Sequence, residues 1–183
     1  GTVLITGGTG TLGRLVARHL VTVHGVRDVV LVARRGDSAG VAGELSALGA
    51  RVRVVSADVA DRAAMAALVG SLDGLSVVVH AAGVVEDGLV AGLDAARVDR
   101  VLAAKVAGAV VLDEVTRGRD LAAFVVFSSA AGVLGNPGQG AYAAGNAFAD
   151  ALVAWRRARG LPGVSLAWGL WAERSGITGG LGQ

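Results

Sequence analysis

Val3-Leu4-Ile5-Thr6-Gly7-Gly8-Thr9-Gly10-Thr11-Leu12-Gly13 passes from a short apolar run, through a glycine-rich turn, into a helical pattern. The run reads as a buried strand, and Leu12, Leu15, Val16, Leu20 and Val23 share one face of the helix that follows. Gly7, Gly10 and Gly13 permit a tight turn, close approach of backbone to a pyrophosphate, and tight helix–strand packing. Unpaired N–H groups and the helix dipole favour an anion at the start of such a helix. Glycines alone could mark a merely structural turn. Their place between a strand and a helix, at the head of an alternating chain, favours a nucleotide cofactor. Thr6, Gly7, Gly8, Thr9, Gly10, Leu12 and Gly13 are its candidate cradle.

The alternation continues to residue 168. Strand-like runs at Val29 to Ala33, Val52 to Ala57, Leu75 to His80, Ala123 to Phe127 and Val164 to Trp168 are separated by helical patterns. Val41, Leu45 and Leu48 stripe one helix, which Gly49 ends, and Met65, Leu68, Val69 and Leu72 stripe the next. Asp94 is placed to cap a long helix carrying Val98, Val101, Leu102, Ala109 and Leu112. A last helix runs from about Ala141 to Arg157. Six strands and five helices predict an α/β fold, a Rossmann-like doubly wound parallel sheet with helices on both faces. Ligands in such sheets bind at the carboxyl ends of the strands.

Composition narrows the function classes. Hydrophobic residues make up 53% of the 183 residues, which excludes disorder and suits a single domain. No run approaches the roughly 20 apolar residues of a membrane helix. The absence of cysteine, and an opening that leads straight into a strand with no leader, predict a cytoplasmic protein. The net charge is only +2, basic residues are scattered, and aromatics are 4%, which argues against nucleic acid. No metal-ligand pattern is expected.

The second strand ends in Arg34-Arg35, where an NAD site usually has an acidic residue. Guanidinium groups can bond a 2′-phosphate, so the pair predicts NADPH; a solvated surface pair is the plainer alternative. Asp58 and Val59, after the third strand, are placed to meet the adenine. Ala81, Ala82 and Gly83 follow the fourth strand and complete the cofactor set. His80 is expected in a loop lining the cofactor.

Of the 17 basic side chains, 16 are arginine and one is Lys105. Lys105 stands seven residues after Val98 and four before Ala109, on an apolar stripe, where a charge is costly unless bonded or near a pocket. Tyr142, the single tyrosine, lies four residues before Asn146, on the same helical face. Reducing a ketone requires a proton for the developing alkoxide. A tyrosine can give it if a nearby ammonium lowers its pKa from about 10. A serine such as Ser129 can donate to the carbonyl oxygen. Asn146 can orient a water or a neighbouring side chain. Tyr142, Ser129, Lys105 and Asn146 are the candidate catalytic set.

These residues resemble the short-chain dehydrogenase/reductase family, and within it the ketoreductase domains of modular type I polyketide synthases. The likeness covers essentially the whole chain, through residues 6–13, His80-Ala-Ala-Gly-Val84, Lys105, Ser128-Ser129-Ala-Ala-Gly132, Gln139-Gly-Ala-Tyr142-Ala-Ala-Gly-Asn146 and Trp168-Gly-Leu-Trp171. Stand-alone reductases carry lysine where this chain has Asn146 and asparagine where it has Lys105. The synthase domains show the same exchange as this chain, and Thr11 also follows their glycine spacing.

The resemblance implies reduction of a β-ketoacyl thioester, carried on the phosphopantetheine of an acyl carrier protein, to the β-hydroxyacyl thioester. A Leu-Asp-Asp motif marks the D-hydroxyl class. It is matched here by Val85-Glu86-Asp87, with Asp87 the diagnostic residue. The L class carries tryptophan where this chain has Leu134. The proline that marks an epimerised 2-methyl group is absent at Ala144. The resemblance also implies an N-terminal structural subdomain and other synthase domains in the same polypeptide. Residues 1–183 would then be one catalytic domain of a larger chain, its lid beginning near Ser175. A catalytically silent or epimerising nucleotide-binding module is one alternative, and a stand-alone homotetrameric carbonyl reductase is another.

Overall fold

Val3, Leu4 and Ile5 are all buried, yet successive side chains of a strand point to opposite faces. The strand that contains them, β1 (Thr2–Thr6), must therefore be covered on both sides. Val3 and Ile5 pack on Ala17 and Val21 of α1 (Thr11–Thr22) and on Val41 and Leu45 of α2 (Val41–Ala47). Leu4 packs in the opposite layer with Met65 and Leu68 of α3 (Arg62–Gly70). Leu112 of α5 (Gly108–Thr116) and Val153 of α7 (Gly140–Arg157) complete that layer. The computed structural model describes residues 1–37 and 39–171.

The remaining strands are β2 (Asp28–Val32), β3 (Arg51–Val55), β4 (Leu75–His80), β5 (Ala123–Ser129) and β6 (Val164–Trp168). All pair in parallel, in the order β3-β2-β1-β4-β5-β6. The chain winds outward from β1 in its first half and from β4 in its second. The two halves diverge between β1 and β4, which opens a crevice at their carboxyl ends. This is the expected doubly wound sheet, with helices on both faces.

Details differ from the sequence reading. β3 stops at Val55, because Ser56 bonds its hydroxyl to the Arg34 carbonyl and Asp58 accepts from the Ala60 N–H, closing a turn. The long helix capped by Asp94 is α4 (Ala95–Leu102) and α5, joined by a π-helical turn at Ala103–Ala107. Asp94 does accept from the Arg97 N–H at 2.8 Å. A short helix that the sequence did not announce, α6 (Ala131–Leu134), follows β5. Asp113 of α5 and Arg156 of α7 form a buried ion pair between the two helices. Among the described residues, no helix is long and apolar enough to cross a membrane.

Candidate active site

The glycine turn closes on itself. Gly7 has φ +66°, a conformation that L side chains rarely adopt, and a Cβ on Gly13 would stand 2.2 Å from the Gly7 carbonyl oxygen. Gly10 caps α1 without a side chain, and the helix has no acidic residue in its first turn, so its first N–H groups remain available to an anion. The residues present therefore fit a pyrophosphate. Thr9 donates to the Gly36 carbonyl at 3.1 Å, tying the turn to the loop that bears the exposed Arg34 and Arg35.

Three cofactor expectations need correction. The Thr6 hydroxyl is buried against His80 Nδ1 at 2.7 Å, so Thr6 supports the turn from within and does not face the crevice. Val59 lies in the core, and only its backbone can meet an adenine, whereas Asp58 is exposed beside it. His80 ends β4 and is fully buried, so it lines no cofactor surface. Strand alternation sends it inward.

Leu12, Ala81, Gly83, Lys105, Ser129, Leu134, Gln139 and Tyr142 line one cleft of about 300 Å³, together with Trp168 and Trp171. Lys105 is only 3% exposed. Its Nζ donates to the Phe127 carbonyl at 2.6 Å and stands 5.5 Å from the centroid of the Tyr142 ring. Burial pushes its pKa down to about 8, against an opposing pull from the Asp150 carboxylate. Its stem passes between two glycines. A Cβ on Gly83 would come 2.9 Å from Lys105 Cε, and one on Gly145 3.1 Å from Lys105 Cβ.

Ser129 Oγ accepts from the Ala131 N–H at 3.2 Å, which leaves its own proton free to donate into the cleft. Asn146 lies behind Tyr142, fully buried. Its amide donates to the Tyr142 carbonyl at 2.8 Å, while Oδ1 has no partner among the described residues. Asn146 thus braces the first turns of α7, with one polar atom left for a water.

Glu86 and Asp87 take different directions. Glu86 turns to α4, where its hydrogen bond from Arg100 holds it below the usual carboxylate range. Asp87 accepts from Gln139 Nε2 at 3.1 and 3.3 Å, and Asn136 Nδ2 donates to Gln139 Oε1 at 2.8 Å. Gln139 stands three residues before Tyr142, so this link holds the Asp87 loop to the start of α7. Leu134, 84% exposed, lines the mouth of the cleft. The sequence reading gave no role to Gln139 or Asp150. Asp150 could have been found from its helical spacing, four residues beyond Asn146.

The model of the KR domain family matches residues 1–173. The chain belongs to that family. KR domains of polyketide synthases are oxidoreductases that act on β-keto groups, of the nucleotide-dependent short-chain type. It is 57% identical to erythronolide synthase EryA2 of Saccharopolyspora erythraea over 188 aligned positions, covering 100% of this chain and 5% of the relative. Mycoketide-CoA synthase of Mycobacterium tuberculosis is 55% identical, with 99% of this chain and 4% of the relative covered. Among solved structures, an A-type ketoreductase from a modular polyketide synthase aligns with TM-score 0.90 and 44% identity, covering 98% of this chain and 39% of that one. The first ketoreductase of the tylosin synthase aligns with TM-score 0.86 and 44% identity, covering 100% and 40%. This KR domain thus spans about a twentieth of the curated relatives and about two fifths of the solved chains.

Proposed function

We propose that the chain uses NADPH to reduce a β-ketoacyl thioester, held by phosphopantetheine on an acyl carrier protein, to the β-hydroxyacyl thioester. The observation that carries this is Lys105, a cation buried beside the Tyr142 ring on the wall of a cleft that also holds Ser129. The exposed Arg34 and Arg35 after β2 suit a 2′-phosphate and support NADPH over NADH.

The glycine turn from Gly7 to Gly13 would hold the pyrophosphate of NADPH, which would supply a hydride for the carbonyl carbon. Ser129 donates its free hydroxyl proton as a hydrogen bond to the carbonyl oxygen, where negative charge builds. Tyr142 transfers its phenolic proton to that oxygen, giving the alcohol. Lys105 faces the phenolate left behind and stabilises its negative charge. Asn146 holds the helix turn that carries Tyr142.

The Asp87–Gln139 link at the mouth supports a defined entry side for the acyl chain, and Asp87 with Leu134 supports the D-hydroxyl product. The small shares of the relatives that are covered support a catalytic domain working within a larger synthase, with its structural subdomain and other synthase domains in the same polypeptide; the reading puts that synthase in the cytoplasm. The lid expected from Ser175 lies outside the described residues.

Tyr142→Phe, assayed by NADPH absorbance with a β-ketothioester, tests the reading, and unchanged turnover would remove the catalytic assignment. Chiral analysis of a reduced diketide tests the stereochemistry. A dominant L-alcohol would overturn the D assignment.

A further inference from the structure

The π-helical turn at Ala103–Ala107 centres on Lys105. In an α-helix the Gly108 N–H would bond to the Ala104 carbonyl; here it bonds to Ala103. The Ala104 carbonyl thereby gives up the Gly108 N–H that an α-helix would offer it. Buried carbonyls seldom go unpaired. The backbone of Ala104 and Lys105 lies beside the imidazole of His80, the last residue of β4, and pulls its pKa up against burial, without reaching hydrogen-bond geometry at Nε2.

Gly108 makes this approach possible. A Cβ there would stand 2.6 Å from Val59 Cγ1 and 3.2 Å from His80 Cε1. The other side of the ring is fixed by Thr6, whose hydroxyl lies 2.7 Å from Nδ1. Nε2 is buried and is the one ring nitrogen with no partner in bonding geometry among the described residues. A backbone that pulls the pKa up favours a proton on the nitrogen beside it, so the surroundings select the Nε2–H tautomer. Thr6 then donates to Nδ1.

We propose that His80 is a positioning residue for the reduction: wedged between Thr6, beneath the cofactor turn, and the backbone of the π-turn, it sets the place of Lys105. The argument rests on the reading of Lys105 and Tyr142 given above. The turn inserts one extra residue into the α4–α5 helix, and Lys105 reaches the cleft only while that insertion is held. Burial and the nearby Lys105 charge depress the imidazole pKa to about 3, so the strut stays neutral at any working pH.

Two near-isosteres separate the ends of the strut. Glutamine can put an amide N–H near the position of Nε2, whereas asparagine reaches only the position of Nδ1. In the full polypeptide that carries the chain, His80→Gln should keep kcat within about threefold and leave its pH profile unchanged. His80→Asn should lose about tenfold or more, and the basic limb of the profile should move to higher pH as Lys105 leaves the buried slot that lowers its own pKa. Equal behaviour of the two variants, or an unmoved limb in His80→Asn, would overturn the proposal.

Should neither variant fold, Thr6→Val against Thr6→Ser serves the same purpose, since only valine removes the hydroxyl that holds Nδ1. A limb that moves in Thr6→Val alone supports the strut, and a limb unmoved in both overturns it. Tyr142→Phe is run alongside. Full turnover there would sink the underlying catalytic reading, whereas loss of turnover there with normal His80 variants would sink only the strut.

Discussion

The Lys105 ammonium stands 5.5 Å from the centre of the Tyr142 ring while bonding to the Phe127 carbonyl, so the cation is held by backbone and aimed at an aromatic face. That arrangement serves the chemistry at the expense of the fold. The lysine is almost fully buried, and its pKa falls from the ordinary 10.5 to about 8.

Lys105→Met should therefore lose turnover by about 10²-fold or more and yet melt at higher temperature. A depression of this size corresponds to about 3 kcal/mol of destabilisation when the lysine is charged. Between about pH 8 and pH 10.5 the unfolded chain binds more protons than the folded one. Stability of the native sequence should rise with pH across that window and sit at its lower level below pH 8. Denaturant melts of both proteins at pH 7 and pH 9.5 check the sign. The methionine variant should lack this rise.

Gly83→Ala places a methyl 2.9 Å from Lys105 Cε, the far part of a flexible side chain. The fold should accommodate it with a loss of less than about 1 kcal/mol, because the lysine can shift. The shift should cost about tenfold in kcat, with little change in the KM for cofactor. Steady-state kinetics beside a thermal melt separate the two effects.

Arg34→Glu puts a carboxylate where a 2′-phosphate is expected. The KM for NADPH should rise by about tenfold or more, while that for NADH changes little or falls. Equal use of both cofactors by the native chain would remove the assignment.

Asp113→Ala strands the buried Arg156 guanidinium, which packs 3.9 Å from the Phe124 ring centroid and also donates to the Pro162 carbonyl. Breaking such a pair costs about 3–5 kcal/mol. The melting temperature should drop by about 10 °C, with kcat per folded molecule near native. Replacing both members by apolar residues should recover part of the loss.

Much of this was readable in advance because each signal was local. The strand–turn–helix at residues 3–13 carries its own periodicity and glycines, and Lys105 advertised itself by standing alone on an apolar stripe. What escaped the sequence reading depends on the fold. The π-turn left the spacing from Val98 to Ala109 looking regular, since the stripe tolerates one extra residue. His80 was misplaced by its neighbours Ala81 and Ala82, which do leave the strand, whereas parallel pairing with Thr6 keeps His80 inside it. Asp87 and Gln139 are 52 residues apart, and only the closing of the sheet brings them together.

The solitary lysine also has a practical consequence. Within these 183 residues Lys105 is the only side-chain primary amine. Reductive methylation with isotope-labelled formaldehyde would place a single side-chain reporter on the wall of the cleft, beside Tyr142. Its rate of labelling would measure how often the slot between Gly83 and Gly145 opens to solvent. Its chemical shift would then record each compound that enters.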